Sequence, residues 1–219
     1  MRSSNRIENI TNGGSDGWEI FYKARKLIAS GTEVVELSIG EHDIGTDPAI
    51  LNAMYEAALN GHTGYASVPG IEELRSLIAN RTLEKTGIET TLDNVIVTPG
   101  GQSALFAAHM AALDDKDIAA YIDPFYATYP TTIRSVGARE SRIVTSAKNY
   151  FQPTFEQLDS GTKQAKSLLI NSPNNPTGKI YPPETLQKLG DLLTRASEKY
   201  GRTIYLISDE AYRRILFDG

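Results

Sequence analysis

The chain has 219 residues, a formal net charge of −5 and no cysteine, so it is long enough to bury a core and carries no disulfide framework. The acidic balance offers no basic footprint for nucleic acid or an anionic membrane surface, and the three histidines, His42, His62 and His109, lack the partners or the spacing of a metal site. The amino end has no signal-peptide core and no apolar run reaches the ~18 residues of a membrane span, which makes a cytoplasmic protein the expectation.

Helix and strand signals alternate along the chain. Ser15 is placed to cap a helix with Trp18, Phe21, Ala24 and Ile28 on one face, and Gly31 ends it. VVELS, Val34 to Ser38, reads as a short strand. Asp47 and Pro48 open the next helix as cap and first-turn proline, Ile50, Leu51, Met54 and Ala58 follow at helical spacing, and Gly61 closes it. The glycine-rich HTGYASVPG is a loop by composition, and a helix from Ile71 to about Lys85 carries Leu74, Leu77 and Ile78. Three strand-then-helix units are predicted next: VIVT into GGQSALFAAHMAAL, IAAYI into FYATYPTTI, and SLLIN through a proline-rich loop into PETLQKLGDLLTRASEKY. TIYLIS is the final predicted strand. Strands apolar on both faces and alternating with helices imply an α/β fold with a mostly parallel sheet, helices on both faces and an amino-terminal arm.

Ligands of open α/β sheets bind outside the carboxyl ends of the strands, so the residues at those ends carry the candidate chemistry. In TPGGQSA, Thr98 to Ala104, a strand gives way to a helix through Gly100 and Gly101. Unpaired N–H groups and the positive helix end converge there and suit a phosphate; a tight strand-to-helix turn is the plain alternative. The pattern is neither G-x-G-x-x-G nor a lysine-bearing phosphate loop. Asp209 and Glu210 end the last strand, and adjacent strand residues face opposite ways, so one acid faces the crevice and they do not act as a pair. For one acid at a strand end, a helix cap or a surface ion pair is the competing role. NSPNNPTG, Asn171 to Gly178, forces an irregular loop whose amide side chains can donate into the crevice. FYATYP sets three aromatics past another strand end, for core packing or for stacking on a flat ligand.

Together LSIGEHD, TGYASVPGIEELR, VIVTPGGQSAL, DPFYATYP, NSPNNPTG and SDEAY resemble the class I/II aminotransferases, the pyridoxal-phosphate enzymes of aspartate-aminotransferase fold. The similarity runs from about Ile7 to Gly219, and NNPTG followed by DEAY is its most specific part. One departure is GEHD, where the family usually has a proline before the aspartate and this chain has His42. The resemblance implies residues 1–45 as an amino-terminal arm with part of a small domain, and 46–219 as the amino-terminal part of a large cofactor-binding domain. It implies that Gly100, Gly101 and Gln102 hold the cofactor's phosphate, that Tyr126 stacks on the pyridine ring and that Ala211 packs on its other face. Asn175 and Tyr212 would donate to the ring's phenolic oxygen. Asp209 would pair with the pyridine nitrogen and keep it protonated, so that the ring can accept electrons. Gly40 would admit the substrate, and Tyr65 would reach a phosphate in the partner subunit of a homodimer. Cis peptides are implied at Asp123-Pro124 and Asn175-Pro176.

The family's Schiff-base lysine lies downstream of the DEAY strand, whereas all ten lysines of this chain precede Asp209. The resemblance therefore implies a truncated portion, with no catalytic residue of its own and a lysine expected beyond Gly219. Lys179 reads as a solvated loop residue. The implied activity of the complete protein is exchange of an amino group between a 2-amino acid and a 2-oxo acid. A carbon–sulfur lyase or decarboxylase on the same fold, a non-catalytic ligand-binding domain and an inactive fragment are the alternatives.

Overall fold

The computed structural model describes residues 2–14, 18–40 and 43–217. Ser15, expected to cap the first long helix, and His42 lie outside the described residues. The chain forms two compact units, one of Trp18–Thr98 and one of Met1–Gly17 with Pro99–Gly219. The first helix, α1, spans Asn5–Glu8 in the latter unit.

The Trp18–Thr98 unit is helical, with α2 at Glu19–Ala29, α3 at Pro48–Leu59 and α4 at Glu72–Thr86. Asp47 caps α3 by accepting from the Ala49 amide at 2.8 Å, with Pro48 in the first turn, as its sequence predicts. Neither VVELS nor VIVT forms the predicted strand. A strand needs a neighbour for its backbone groups. Val35 and Leu37 stand exposed, and the carbonyl of Val95 instead accepts from the Arg75 guanidinium at 2.9 Å. The Val97 amide donates to the Pro69 carbonyl at 2.8 Å. That crossing requires Gly70: its φ is +106° and an added Cβ would lie 2.7 Å from Val97 Cγ2.

The other unit holds a four-stranded parallel sheet in the order β2-β1-β3-β4. After α5 (Gly101–Ala112) come β1 (Ile118–Asp123), α6 (Tyr129–Ser135), β2 (Arg139–Val144), α7 (Phe155–Thr162), β3 (Ser167–Asn171), α8 (Pro183–Tyr200) and β4 (Tyr205–Asp209). Alternate residues of the central strands feed two cores. Ala120, Ile122, Leu168 and Ile170 pack with Leu158 of α7 and Leu189, Leu192 and Leu193 of α8. Ala119, Tyr121 and Leu169 pack with Leu105 of α5 and with Tyr129 and Ile133 of α6. Helices therefore cover both faces, as the apolar strands predict. No helix among the described residues is long and apolar enough to cross a membrane.

The sequence reading omitted β2 and α7. Of RESRIV only Ile143 is buried, because β2 is an edge strand and its apolar signal is correspondingly thin. In α7 the missed signal was a capping box: Thr154 Oγ1 accepts from the Gln157 amide while Gln157 Oε1 accepts from the Thr154 amide. The amino-terminal segment is tied to α6, since Arg134 donates to the Ile10 carbonyl at 2.6 Å and to Glu140 at 2.9 Å. Glu140 also accepts from the buried Tyr121 hydroxyl at 2.6 Å.

Candidate functional site

A cleft of about 220 Å³ opens at the carboxyl end of the sheet, lined by Gly101, Gln102, Leu105, Tyr126, Asn171, Asp209, Ala211 and Tyr212. Six of these are residues singled out from the sequence. Gly100 adjoins them as the residue preceding α5, and Asn175 joins through Tyr212. Gly40 and Tyr65 lie in the Trp18–Thr98 unit, where a Cβ at Gly40 would meet nothing within 4 Å and the Tyr65 ring is fully exposed.

Gly100 has φ +85° and brings no side chain to cap α5, so the first amides of the helix are available to an anion rather than closed by a serine or aspartate. An added Cβ at Gly100 or Gly101 would meet nothing within 4 Å, which leaves open space over the helix end. The Gln102 side chain is already engaged. Its Nε2 donates to Thr132 Oγ1 and its Oε1 accepts from Thr128 Oγ1 at 2.6 Å. What Gln102 offers an anion is therefore its backbone N–H.

Asp209, which also lines the cleft, ends β4 half-buried. Its Oδ1 accepts from the Ala211 amide at 3.2 Å and its Oδ2 from the Tyr129 hydroxyl at 2.7 Å. Glu210 is exposed and turned to Arg213 at 3.1 Å, so the two neighbouring acids do part ways. Asn171, at the end of β3, donates to the Asp209 carbonyl at 3.0 Å and accepts from the Asn175 amide at 2.8 Å. Asn175 in turn donates to the Tyr212 hydroxyl at 2.9 Å. A phenol that accepts in this way keeps its own proton for a further acceptor. Tyr126 supplies an aromatic wall, its ring 5.8 Å from that of Tyr129 and 40% exposed.

Three X-Pro bonds are cis, Asp123-Pro124 and Asn175-Pro176 as expected and Ser172-Pro173 in addition. Lys179 is half-buried in its loop, and no lysine lines the cleft among the described residues. The sequence reading gave no role to Leu105, Tyr129 or the two threonines, and placed Asn171 only among the amides of the NSPNNPTG loop. Asn171 and Tyr129 sat inside the quoted motifs, but their contacts join segments up to 80 residues apart, a pairing no local pattern exposes.

The family model of aminotransferase class I and II matches residues 32–219. The chain belongs to that family. It is 35% identical over 198 residues to the aspartate/prephenate aminotransferase of Thermus thermophilus, covering 90% of this chain and 50% of that protein. It is 32% identical to the arginine–pyruvate transaminase of Pseudomonas aeruginosa, covering all of this chain and 54% of the relative. Among solved structures, the aspartate aminotransferase of Thermus thermophilus with maleate superposes with a TM-score of 0.90 at 34% identity, covering 100% of this chain and 56% of that one. The chain thus spans about half the length of the curated relatives it matches.

The cleft fits the cofactor typical of class I and II aminotransferases. A helix end that no side chain caps suits the phosphate of pyridoxal phosphate, and a carboxylate in the same cleft suits its ring nitrogen. Tyr126 and Ala211 offer flat apolar contact for the ring, and the Tyr212 hydroxyl has a proton for its phenolic oxygen.

Proposed function

We propose that the protein is a pyridoxal-phosphate-dependent aminotransferase that moves an amino group between a 2-amino acid and a 2-oxo acid. The observation that carries this reading is a cleft lined both by the amino end of α5, where no side chain caps the helix, and by Asp209. When bound, the cofactor supplies an electron-accepting ring that stabilises negative charge at the substrate's α-carbon.

The chain's own residues bind, orient and hold a proton. The amides of Gly101 and Gln102, with Gly100 leaving room, take the phosphate; Tyr126 and Ala211 sandwich the ring. Tyr212, oriented by Asn175, donates to the ring's oxygen. Asp209 holds a proton on the ring nitrogen, and its negative charge favours that protonated form. The family resemblance assigns Gly40 to the substrate and Tyr65 to the phosphate of a partner subunit in a homodimer.

The test is amino-group exchange by the full-length protein loaded with pyridoxal phosphate. Aspartate and arginine serve as donors and pyruvate and prephenate as acceptors, chosen from the relatives' activities. A new amino acid formed in step with consumption of the donor supports the reading. Release of carbon dioxide, or of a thiol from a sulfur amino acid, without exchange would assign the decarboxylase or lyase alternative.

A further inference from the structure

We propose that Tyr129 is a positioning residue that locks the Asp209 carboxylate for the cofactor's ring nitrogen, an inference that rests on the function proposed above. Asp209 sits at the end of an edge strand, where a carboxylate is free to rotate unless its oxygens are held. Two donors hold it. The Ala211 amide is a weak local one at 3.2 Å, and the Tyr129 hydroxyl is the short one at 2.7 Å, delivered from α6.

Tyr129 is built to donate and to stay. Its ring is 2% exposed and packs in the core formed with Leu105 and Ile133, so the hydroxyl cannot swing away without disrupting that packing. Burial first, and then the bond to Asp209, push the phenol well above its usual range, which leaves it protonated and a donor at any working pH. A donor to a charged oxygen makes a stronger bond than a neutral pair, so it fixes the direction in which the carboxylate points. The same helical segment also holds the residue at the start of α5, since Thr128 and Thr132 engage both ends of the Gln102 side-chain amide. One short helix therefore sets the geometry of the phosphate end and of the nitrogen end together.

A buried tyrosine also needs a partner simply to satisfy its hydroxyl, and the molecule supplies a matched control for that simpler role. Tyr121 is fully buried and donates to a carboxylate, Glu140 Oε2, at 2.6 Å, and neither residue lines the cleft. If Tyr129 acts only in folding, Tyr129→Phe and Tyr121→Phe behave alike.

The experiment loads the full-length protein with pyridoxal phosphate carrying nitrogen-15 in the ring, and reads the ring-nitrogen chemical shift against pH together with cofactor affinity. In Tyr129→Phe the Asp209 carboxylate loses its shorter donor and is free to rotate away from the ring nitrogen, which weakens the negative charge that keeps that nitrogen protonated. The expected result is a ring that deprotonates about one pH unit lower than in wild type, and affinity about tenfold weaker. Tyr121→Phe is expected to leave both readings at the wild-type value. Equal behaviour of the two variants, or an unchanged ring-nitrogen titration in Tyr129→Phe, overturns the proposal. Should Tyr129→Phe fail to fold, the contrast is read in wild type with carbon-13-labelled tyrosine. The Tyr129 phenolic carbon shifts on loading while that of Tyr121 does not, and a Tyr129 signal that stays put overturns the proposal. A wild-type protein that binds no pyridoxal phosphate overturns the functional reading itself, and the inference with it.

Discussion

Asn175 donates through Nδ2 to the hydroxyl of Tyr212 at 2.9 Å, joining the NNPTG loop to the turn that follows β4. The two residues are 37 positions apart, and each belongs to one of the two most family-specific motifs of the chain. The bond continues a relay that runs from the Asp209 carbonyl through Asn171 to the Asn175 amide. The relay fixes the direction of the Tyr212 hydroxyl without consuming its proton, which is the property a donor to a ligand oxygen requires.

Tyr212→Phe removes that proton and keeps the ring. Equilibrium titration with pyridoxal phosphate, followed by absorbance, is expected to show affinity lowered by about two- to tenfold, the worth of one ordinary hydrogen bond. Unfolding free energy should change by less than about 1 kcal/mol, because Asn175 Nδ2 can turn to water in a half-open cleft. An affinity equal to that of wild type would show that the hydroxyl faces no ligand atom.

Gly161 in α7 lies against Ile143 of β2, so closely that an added Cβ would overlap the Ile143 Cγ1. Ile143 is 2% exposed and cannot retreat into solvent. Gly161→Ala gains helix propensity of about 1 kcal/mol but is expected to lose more to overpacking, which costs about 1–3 kcal/mol and sometimes exceeds that. Urea denaturation should therefore show a net loss of stability. The paired variant Gly161→Ala with Ile143→Val should recover part of it; a single variant as stable as wild type would mean that the helix can shift off the sheet.

How much of this was legible in sequence depended on whether a residue's partner was local. Asp47 with Pro48 announced a helix start, and SLLIN announced a buried strand, because cap and apolar run are written in adjacent positions. VIVT and VVELS carried the same apolar signal and formed no strand, since a ladder requires a neighbour that composition does not supply. RESRIV formed one with little apolar content, because β1 offered it a free edge. At the site, Gly100, Gly101, Tyr126, Asp209, Ala211 and Tyr212 were readable from motif order. The engagement of Gln102 by Thr128 and Thr132 was not, nor the grip of Tyr129 on Asp209, because each is set by how α6 packs on the sheet.

Arg134 ties the amino-terminal segment to this sheet by bonding the Ile10 carbonyl and Glu140, with both charged side chains mostly buried. Arg134→Ala leaves Glu140 with only the Tyr121 donor. A loss of about 1–3 kcal/mol is expected for a hydrogen-bonded charge stripped of its partner in a half-buried site. Hydrogen exchange is expected to accelerate selectively in the segment from Ser4 to Asn12. Uniform acceleration across the protein would instead assign Arg134 to global stability and not to docking of the arm.

His109 gives the protein a defined sensitivity to acid. It is fully buried in α5, and neither ring nitrogen has a hydrogen-bond partner among the described residues; burial lowers its pKa from 6.5 to about 4. Between those values the unfolded chain binds a proton at this residue and the folded chain does not, so protonation favours unfolding. The stabilisation associated with neutral His109 is complete above about pH 6.5 and is lost as pH falls toward 4. By the bottom of that window the loss from this group reaches about 3 kcal/mol. Unfolding free energies measured by denaturant across this range should fall steadily in wild type, whereas His109→Leu, which has no group to titrate there, should show a flatter profile between about pH 6.5 and 5. Below about pH 4.5 both proteins should weaken together as carboxylates such as Glu140, held low by Tyr121 and Arg134 against the upward pull of burial, take up protons. Parallel slopes for wild type and His109→Leu above that pH would mean that His109 is already protonated, or reaches water, in the folded state.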